Sequence, residues 1–297
     1  MILELLIYGF TMGSVYAISA LGLSLIYGVA RVPNMAYGAF YTLSAYIAFI
    51  LLNEFSLDFS LCILLSLFVT VAIAIASEKL LIKHILANPN SVIIATISLA
   101  LFFEGFIQKY QKDSGYSYAY LPSITESVDI LGIYISIQRV LIIVVFLVLA
   151  VGLHFLMAKT KVGMAIRAVA QNPEEAVAVG ISKEKILTIA MGLSAAMAGI
   201  TGILFGGMQA MSPYMGWPLL IKSLTIVTLG GLGSISGTIM ASLILAYTEQ
   251  VVASLSIGLI SLSQFSELVS LILLIVILLF KPTGLLGKTA KEEEIPH

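Results

Sequence analysis

Residues 159–185 read KTKVGMAIRAVAQNPEEAVAVGISKEK, a charged stretch set between long apolar segments. Sixty per cent of the 297 residues are hydrophobic and only 10% are charged, whereas soluble domains carry about 25% charged residues. A bilayer core needs about 20 apolar residues per helix. The sequence therefore predicts an all-α, polytopic membrane protein with about 8–10 transmembrane helices in one transmembrane domain, residues 1–297. The candidate spans are residues 5–29, 36–52, 59–76, 91–108, 139–158, 186–208, 217–232, 236–256 and 267–280.

The charged stretch contains a short helix, predicted at residues 172–180. Asn172 is a suitable N-cap, Pro173 fits the first helical position, and Glu175 at the third completes a capping box. Glu174 and Glu175 also lie at the positive end of the helix dipole, and Gly180 suits the left-handed residue that ends a helix. A helix this short is marginal in water, so we expect a partner surface to hold it.

The distribution of lysine and arginine predicts the orientation, because cytoplasmic loops accumulate these residues. If the loop at 159–185 is cytoplasmic, strict alternation of the spans puts eleven of the fifteen Lys and Arg residues on that side. The N-terminus is then outside, and the tail at 281–297 is cytoplasmic. The loop at 109–138 faces outward, where the segment DILGIYISI predicts a short strand pair around residues 128–137.

Two segments, residues 27–38 and 229–237, interrupt the apolar pattern with glycine and polar residues. Irregular backbone at membrane depth is tolerated where it is buried in protein or lines a cavity. Transporters place such broken or re-entrant segments at the translocation pathway, often at corresponding positions of inverted repeats. A tight turn between adjacent helices is the alternative. The predicted pathway residues are Tyr27, Gly28, Asn34, Gly38, Lys222, Gly230, Gly231 and Gly233.

Glycine pairs and buried charges mark further contacts between spans. The pairs Gly9/Gly13, Gly202/Gly206 and Gly233/Gly237 have the spacing of helix faces that approach closely in lipid. Lys222 and Glu249 are ionisable residues inside spans, where a charge is costly and faces the protein interior or water. For Lys222, a side chain that reaches outward to the interface is the alternative to a pathway role.

The sequence offers no pattern for catalysis, cofactors or metal binding. His84, His154 and His297 are scattered, and Cys62 is a single cysteine in an apolar run. The net charge of −1 gives no indication of nucleic-acid binding. We therefore expect no enzyme activity, cofactor or metal, and energy from ATP would have to come from a separate subunit.

Four segments in order resemble one family. Glu175-Ala176 with Gly180 resembles the EAA loop of prokaryotic ABC importer permeases. The segment at 161–181, with those at 13–40, 218–245 and 278–287, is similar to branched-chain amino-acid permeases of the LivH type. The resemblance implies a docking site for ATP-binding subunits formed by Gly163, Arg167, Asn172, Pro173, Glu174, Glu175, Ala176 and Gly180.

The resemblance also implies a complex in the plasma (inner) membrane. Its members would be this permease, a paralogous second permease, two ATP-binding subunits and an extracytoplasmic substrate-binding protein, surrounded by membrane lipid. The family usually reads Asn-Phe-Ala-His-Gly-Glu where this chain has residues 34–39, NMAYGA. That departure leaves open whether the substrate is a branched-chain amino acid, or urea, a short amide or another small solute. A stand-alone secondary transporter or channel is the other alternative, although it would have no use for a capped docking helix.

Overall fold

The computed structural model describes residues 2–86, 88–113, 121–122, 126–130, 133–257, 260–261, 265–281 and 283–286. Twelve α-helices account for most of these residues. They are α1 (Ile2–Ala30), α2 (Tyr37–Asn53), α3 (Phe59–Ser77), α4 (Lys83–Ile85), α5 (Pro89–Asp113), α6 (Ile137–Lys159), α7 (Lys161–Gln171), α8 (Pro173–Ala178), α9 (Lys183–Gly206), α10 (Gly216–Gly230), α11 (Ile235–Ser254) and α12 (Ser266–Phe280). A π-helix, Glu78–Ile82, joins α3 to α4.

The helices confirm the predicted all-α, multi-pass membrane fold. Each of the nine candidate spans falls on a helix of the structure. Among the described residues, six helices are long and apolar enough to cross a membrane. Three more apolar helices, α2, α10 and α12, are shorter. The 15 residues of α10 give it a length of about 22 Å, which is less than the roughly 30 Å of a bilayer core.

The chain divides into two compact units. The first unit comprises Met1–Ser24, Ile124–Ala150 and Ile221–His297, and the second comprises Leu25–Ser123 and Val151–Leu220. Three of the four boundaries fall within helices α1, α6 and α10.

In the second unit, α2, α3 and α9 pack on one another. Gly202 of α9 lies against the backbone of Tyr41 in α2, so closely that a Cβ atom at this position would clash. Gly38 and Gly216 bring the first turns of α2 and α10 together in the same way. Because these contacts are between backbones, they need glycine on at least one side. The α9 packing face is confirmed.

In the first unit, α1 packs on α11 through the predicted glycine pair Gly9/Gly13. A Cβ atom on Gly9 would lie 2.5 Å from the ring of Tyr247, and one on Gly13 would lie 2.8 Å from Leu243. Helix α11 in turn packs on α12. The glycine pair thus sets how closely α1 approaches α11.

Two short antiparallel hairpins accompany the helices. Strands β1 (Ser127–Ile130) and β2 (Ile133–Ser136) confirm the strand pair that was predicted in the loop at 109–138. Strands β3 (Ser256–Ile257) and β4 (Ile260–Ser261) form a second hairpin, which the sequence analysis did not predict. Parts of the loop at 109–138 and residues 287–297 of the tail lie outside the described residues.

Candidate functional site

The predicted docking helix is present as α8, and its ends are capped by the expected residues. The Asn172 side chain accepts hydrogen bonds from the backbone N–H groups of Glu174 (3.1 Å) and Glu175 (3.4 Å). At the other end, Gly180 has a φ of +88°. Its N–H donates to Val177 O and that of Ile181 donates to Ala176 O, which is the hydrogen-bond pattern of a Schellman motif.

The predicted capping box is wrong in one half. Its second hydrogen bond would run from the backbone N–H of Asn172 to the Glu175 side chain. That N–H instead donates to Ala168 O at 3.0 Å, because helix α7 extends up to this residue. Asn172 therefore ends one helix and begins the next, and the Glu175 carboxylate is exposed at the surface.

Helix α7 is a second helix in the charged stretch, and the sequence analysis did not predict it. Thr160 caps its start by accepting a hydrogen bond from the N–H of Gly163. Gly163 lies against the backbone of Leu156 and Met157 at the end of α6, where a Cβ atom would clash. Arg167 is exposed, whereas Gly163, Ile166 and Val169 of the same helix are buried.

Arg31 connects the end of α1 to the end of α7. Its guanidinium donates to Ala170 O at 2.9 Å and to Gln171 O at 2.7 Å, the last carbonyl groups of α7. A cation is favoured there because the C-terminal end of a helix carries partial negative charge. Arg31 itself has a φ of +56°, which is uncommon for a residue other than glycine. One side chain thus links the first interruption to the end of α7, one residue before the Asn172 cap of α8.

The surface of α8 combines acidic and apolar side chains. Ala176 is buried, with 3% of its surface exposed. Glu174 and Glu175 are exposed, as are Val177 (54%) and Val179 (77%). A helix at the surface of a polar loop that exposes two carboxylates followed by two valines is suited to contact another protein.

The first interruption, between α1 and α2, is held by hydrogen bonds within the protein. Asn34 is 4% exposed, accepts from Ala36 N–H at 3.0 Å and directs its amide nitrogen at the Met191 sulfur. Tyr37, where the family usually has histidine, is 1% exposed and packs edge-on against Tyr41. Of the predicted pathway residues here, Tyr27 and Gly28 are partly exposed, and a Cβ atom on Gly28 would meet no atom within 4 Å.

The second interruption, between α10 and α11, is covered by the segment that follows α12. Leu285 N–H donates to Leu229 O at 2.7 Å and Leu286 N–H donates to Gly230 O at 3.0 Å. Gly284 packs on Gly231, whose φ of +100° requires glycine. Irregular backbone of this kind either is buried in protein or lines a cavity, and the structure shows protein partners for the carbonyl groups of Leu229 and Gly230.

The predicted pathway residues are divided between the two units. Tyr27, Gly28, Asn34 and Gly38 belong to the second unit, whereas Lys222, Gly230, Gly231 and Gly233 belong to the first. Gly38, Gly230 and Gly231 are buried against protein backbone, and Gly233 is exposed. That all eight residues border one route stays a prediction.

Lys222 is held in a buried polar cluster of the first unit. Its Nζ lies 3.2 Å from Glu249 Oε2 and donates to the Tyr16 hydroxyl at 2.9 Å. The Tyr16 hydroxyl donates to Glu249 Oε2 at 2.8 Å, and Ser270 donates to Oε1. The Lys222 side chain is 19% exposed and that of Glu249 is 11% exposed. Lys222 therefore pairs inside the protein and does not reach outward to the interface.

Sequence reasoning missed most of these partners, because each lies far along the chain. Tyr16 and Lys222 are 206 residues apart, and Arg31 and Ala170 are 139 apart. Two features of the sequence did indicate part of this arrangement. Thr160 is a suitable N-cap for a helix that begins at residue 161, and Glu249 is a charged residue inside a span, where a charge needs a partner. Nothing in the sequence alone pairs residues 285 and 286 with the end of α10.

Apolar helices that cross the membrane, together with a capped helix exposed in a polar loop, define a membrane transport protein of the permease class. The chain belongs to the family described as the branched-chain amino acid transport system / permease component, whose model matches residues 5–278. This confirms the family resemblance seen in the four segments.

Individual relatives agree with this family. The chain is 30% identical over 305 residues to the high-affinity branched-chain amino acid transport system permease protein BraD of Pseudomonas aeruginosa, covering 98% of this chain and 97% of BraD. It is 24% identical to the permease protein LivM of Salmonella typhimurium, covering 94% of this chain and 69% of LivM. An ABC transporter of the metal-chelate type, in an inward-facing conformation, shares the fold with a TM-score of 0.54 at 17% identity, over 92% of this chain and 85% of that one.

Proposed function

We propose that this chain is the membrane-spanning permease of an ABC importer for branched-chain or related amino acids. The observation that carries the proposal is α8, a surface helix capped at both ends in a chain of this permease family. The relatives named for branched-chain amino acid transport support the substrate class. The similarity to LivM supports a paralogous second permease as partner. Two ATP-binding subunits and an extracytoplasmic binding protein complete the proposed complex in the plasma (inner) membrane.

We infer that movement of the ATP-binding subunits reaches the membrane through α8, α7 and Arg31. The valines and carboxylates of α8 would seat in a groove of the ATP-binding subunit. A displacement of α8 then acts on Asn172, which begins α8 and ends α7. The two hydrogen bonds from Arg31 transmit the movement to the first interruption. No catalytic group of this chain is needed, because ATP hydrolysis takes place in the partner.

The proposal is tested by purifying the chain with its co-expressed partner subunits and binding protein. ATP hydrolysis in proteoliposomes is expected to rise with leucine, isoleucine or valine. Stimulation by urea or a short amide alone would support the assignment as an importer but would identify a different substrate. Full transport without any ATP-binding subunit would contradict the importer and favour a stand-alone carrier.

Loosening the caps of α8 is expected to uncouple transport. Asn172→Ala removes the acceptor for two N–H groups, which costs about 1 kcal/mol and lowers transport about fivefold. Gly180→Val places a β-branched residue at a φ of +88° and is expected to have a larger effect. Co-purification of ATP-binding subunits and uptake of labelled substrate measure both effects.

Asp58→Ala is the matched control, because it removes the equivalent cap of α3, outside the docking helix and both interruptions. Normal subunit binding and uptake in the Asn172→Ala/Gly180→Val double variant would contradict a docking role for α8. Glu175→Ala is not expected to loosen the helix, since no hydrogen bond of the described residues depends on that side chain.

Gly28→Leu is expected to obstruct the route without disturbing the fold. A Cβ atom there would enter open space, so the added side chain projects into whatever volume lies beside the end of α1. Uptake should fall at least tenfold while the Tm of the purified complex is unchanged. Gly152→Leu is the control, since it also meets no atom within 4 Å. Unchanged uptake by Gly28→Leu would contradict the proposal that the first interruption lines the translocation pathway.

The proposed orientation is N-terminus outside and C-terminus cytoplasmic. Single cysteines in a Cys62→Ala background test it at two exposed positions, Tyr134→Cys and Val179→Cys. An impermeant maleimide applied to intact cells is expected to label position 134 only. Labelling of position 179 with protection of 134 would reverse the topology.

A further inference from the structure

A cleft in the second unit lies beside the π-helix, outside the docking helix and both interruptions. It has a volume of about 480 Å³. Its walls come from the π-helix, α4 and the first two turns of α9. The lining residues are Lys79, Lys83, His84, Glu184, Lys185, Thr188 and Ile189.

The charge of the cleft is positive. Lys83 lies 2.8 Å from Glu184, and Thr188 donates its hydroxyl to Glu78, which is 1% exposed beneath the surface. Three lysines thus face two carboxylates. Lys79 and Lys185 are exposed, and in the part of the chain that the structure describes neither ammonium group has a carboxylate within ion-pair distance. These two cations are available to an anion.

The length of the helix that carries Lys79 and Lys83 puts the cleft at the level of lipid headgroups. The apolar segment Phe59–Ile85 has 27 residues, or about 40 Å at 1.5 Å per residue, whereas the hydrocarbon core is about 30 Å thick. The last two turns therefore extend into the headgroup region. Helix α9, which packs on α3, begins at Lys183 on the other wall.

Exposed apolar side chains stand beside the cationic ones. Leu80 is 74% exposed and Leu81 is 45% exposed on the π-helix, and Ile189 of α9 is 38% exposed. Basic side chains next to apolar surface suit a lipid, whose phosphate binds the lysines while its acyl chains lie on the leucines. A free phosphate ion would contact only the lysines.

We propose that this cleft binds the phosphate group of an anionic phospholipid. Lys79 and Lys185 contact the phosphate oxygens. The Lys83–Glu184 ion pair joins α4 to α9 at one side of the cleft. The bound lipid would hold the end of α3 against the start of α9, next to the charged stretch at residues 159–185. The inference does not depend on the substrate of the permease.

The test uses the full chain with its partner subunits in nanodiscs of phosphatidylcholine, with or without phosphatidylglycerol. We expect native mass spectrometry to show retained phosphatidylglycerol and the Tm to rise with that lipid. Lys79→Gln/Lys185→Gln should weaken retention roughly 30-fold, the effect of removing two basic residues near an anionic membrane surface. Lys109→Gln/Lys112→Gln, two exposed lysines at the end of α5, is the matched control.

Three results would overturn the proposal. The first is equal retention of phosphatidylglycerol by wild type and the Lys79/Lys185 variant. The second is a lysine-dependent rise in Tm with inorganic phosphate in phosphatidylcholine discs, which would identify a soluble anion as the ligand. The third is loss of the ATP-binding subunits from the variant in phosphatidylcholine discs, which would make the cleft a protein contact. Lipid retention is measured without transport, so its failure leaves the proposed permease function standing.

Discussion

Glu249→Gln is expected to lower the free energy of unfolding by about 3–5 kcal/mol, because it leaves the Lys222 ammonium group buried without its counter-charge. Both Glu249 oxygens are hydrogen-bonded, by Tyr16, Lys222 and Ser270, so the cluster joins α1, α10, α11 and α12 within the first unit. The Tm of the purified complex should fall by about 10 °C, measured by fluorescence-detected size exclusion after heating. Lys222→Met should have a similar effect.

The double variant Lys222→Met/Glu249→Gln is expected to recover at least half of that loss. Removing both charges removes the unpaired ion, and neutral side chains of similar size are tolerated in a buried site. Glu184→Gln is the control, since its partner Lys83 is in an exposed ion pair and little change in Tm is expected. A stable Glu249→Gln variant that has lost transport would instead support a pathway role for Lys222.

Arg31→Ala is expected to lower coupled transport at least tenfold, because it removes two charge-assisted hydrogen bonds and a tenfold change corresponds to only about 1.4 kcal/mol. The change frees the last carbonyl groups of α7 and disconnects α1 from the end of α7, one residue before the Asn172 cap of α8. ATP-binding subunits should still co-purify, because α8 keeps its own caps. The informative measurement is the amount of substrate transported per ATP hydrolysed, which a purely structural role would not change.

Arg31→Lys separates charge from geometry. A lysine keeps the positive charge at the C-terminal end of α7 but lacks the two-pronged donor that reaches both carbonyls, so partial recovery is expected. Lys161→Ala, an exposed charge at the start of α7, is the matched control. A normal ratio of transport to ATP hydrolysis in Arg31→Ala would show that the movement does not pass through this residue.

The fold class, the apolar helices and the capped helix α8 could be predicted from the sequence, because each follows from local properties. Apolar runs locate the helices wherever lipid is the solvent. The Asn172 cap and the left-handed Gly180 depend only on neighbours within a few residues, and both are confirmed. Even the hairpin of β1 and β2 could be predicted, since alternation and a turn are local signals.

Which distant groups meet depends on tertiary packing. Hydrophobic periodicity does not indicate which side chains form hydrogen bonds or ion pairs with each other. The pairing of Lys222 with Glu249 and Tyr16 could therefore not be predicted from it. The same holds for the Arg31 link to α7 and for the segment that covers the end of α10. That last contact also bears on the two possibilities for the second interruption, burial in protein or lining of a cavity. A backbone group freed by a break must find some hydrogen-bond partner, and only packing determines whether water or another part of the chain supplies it.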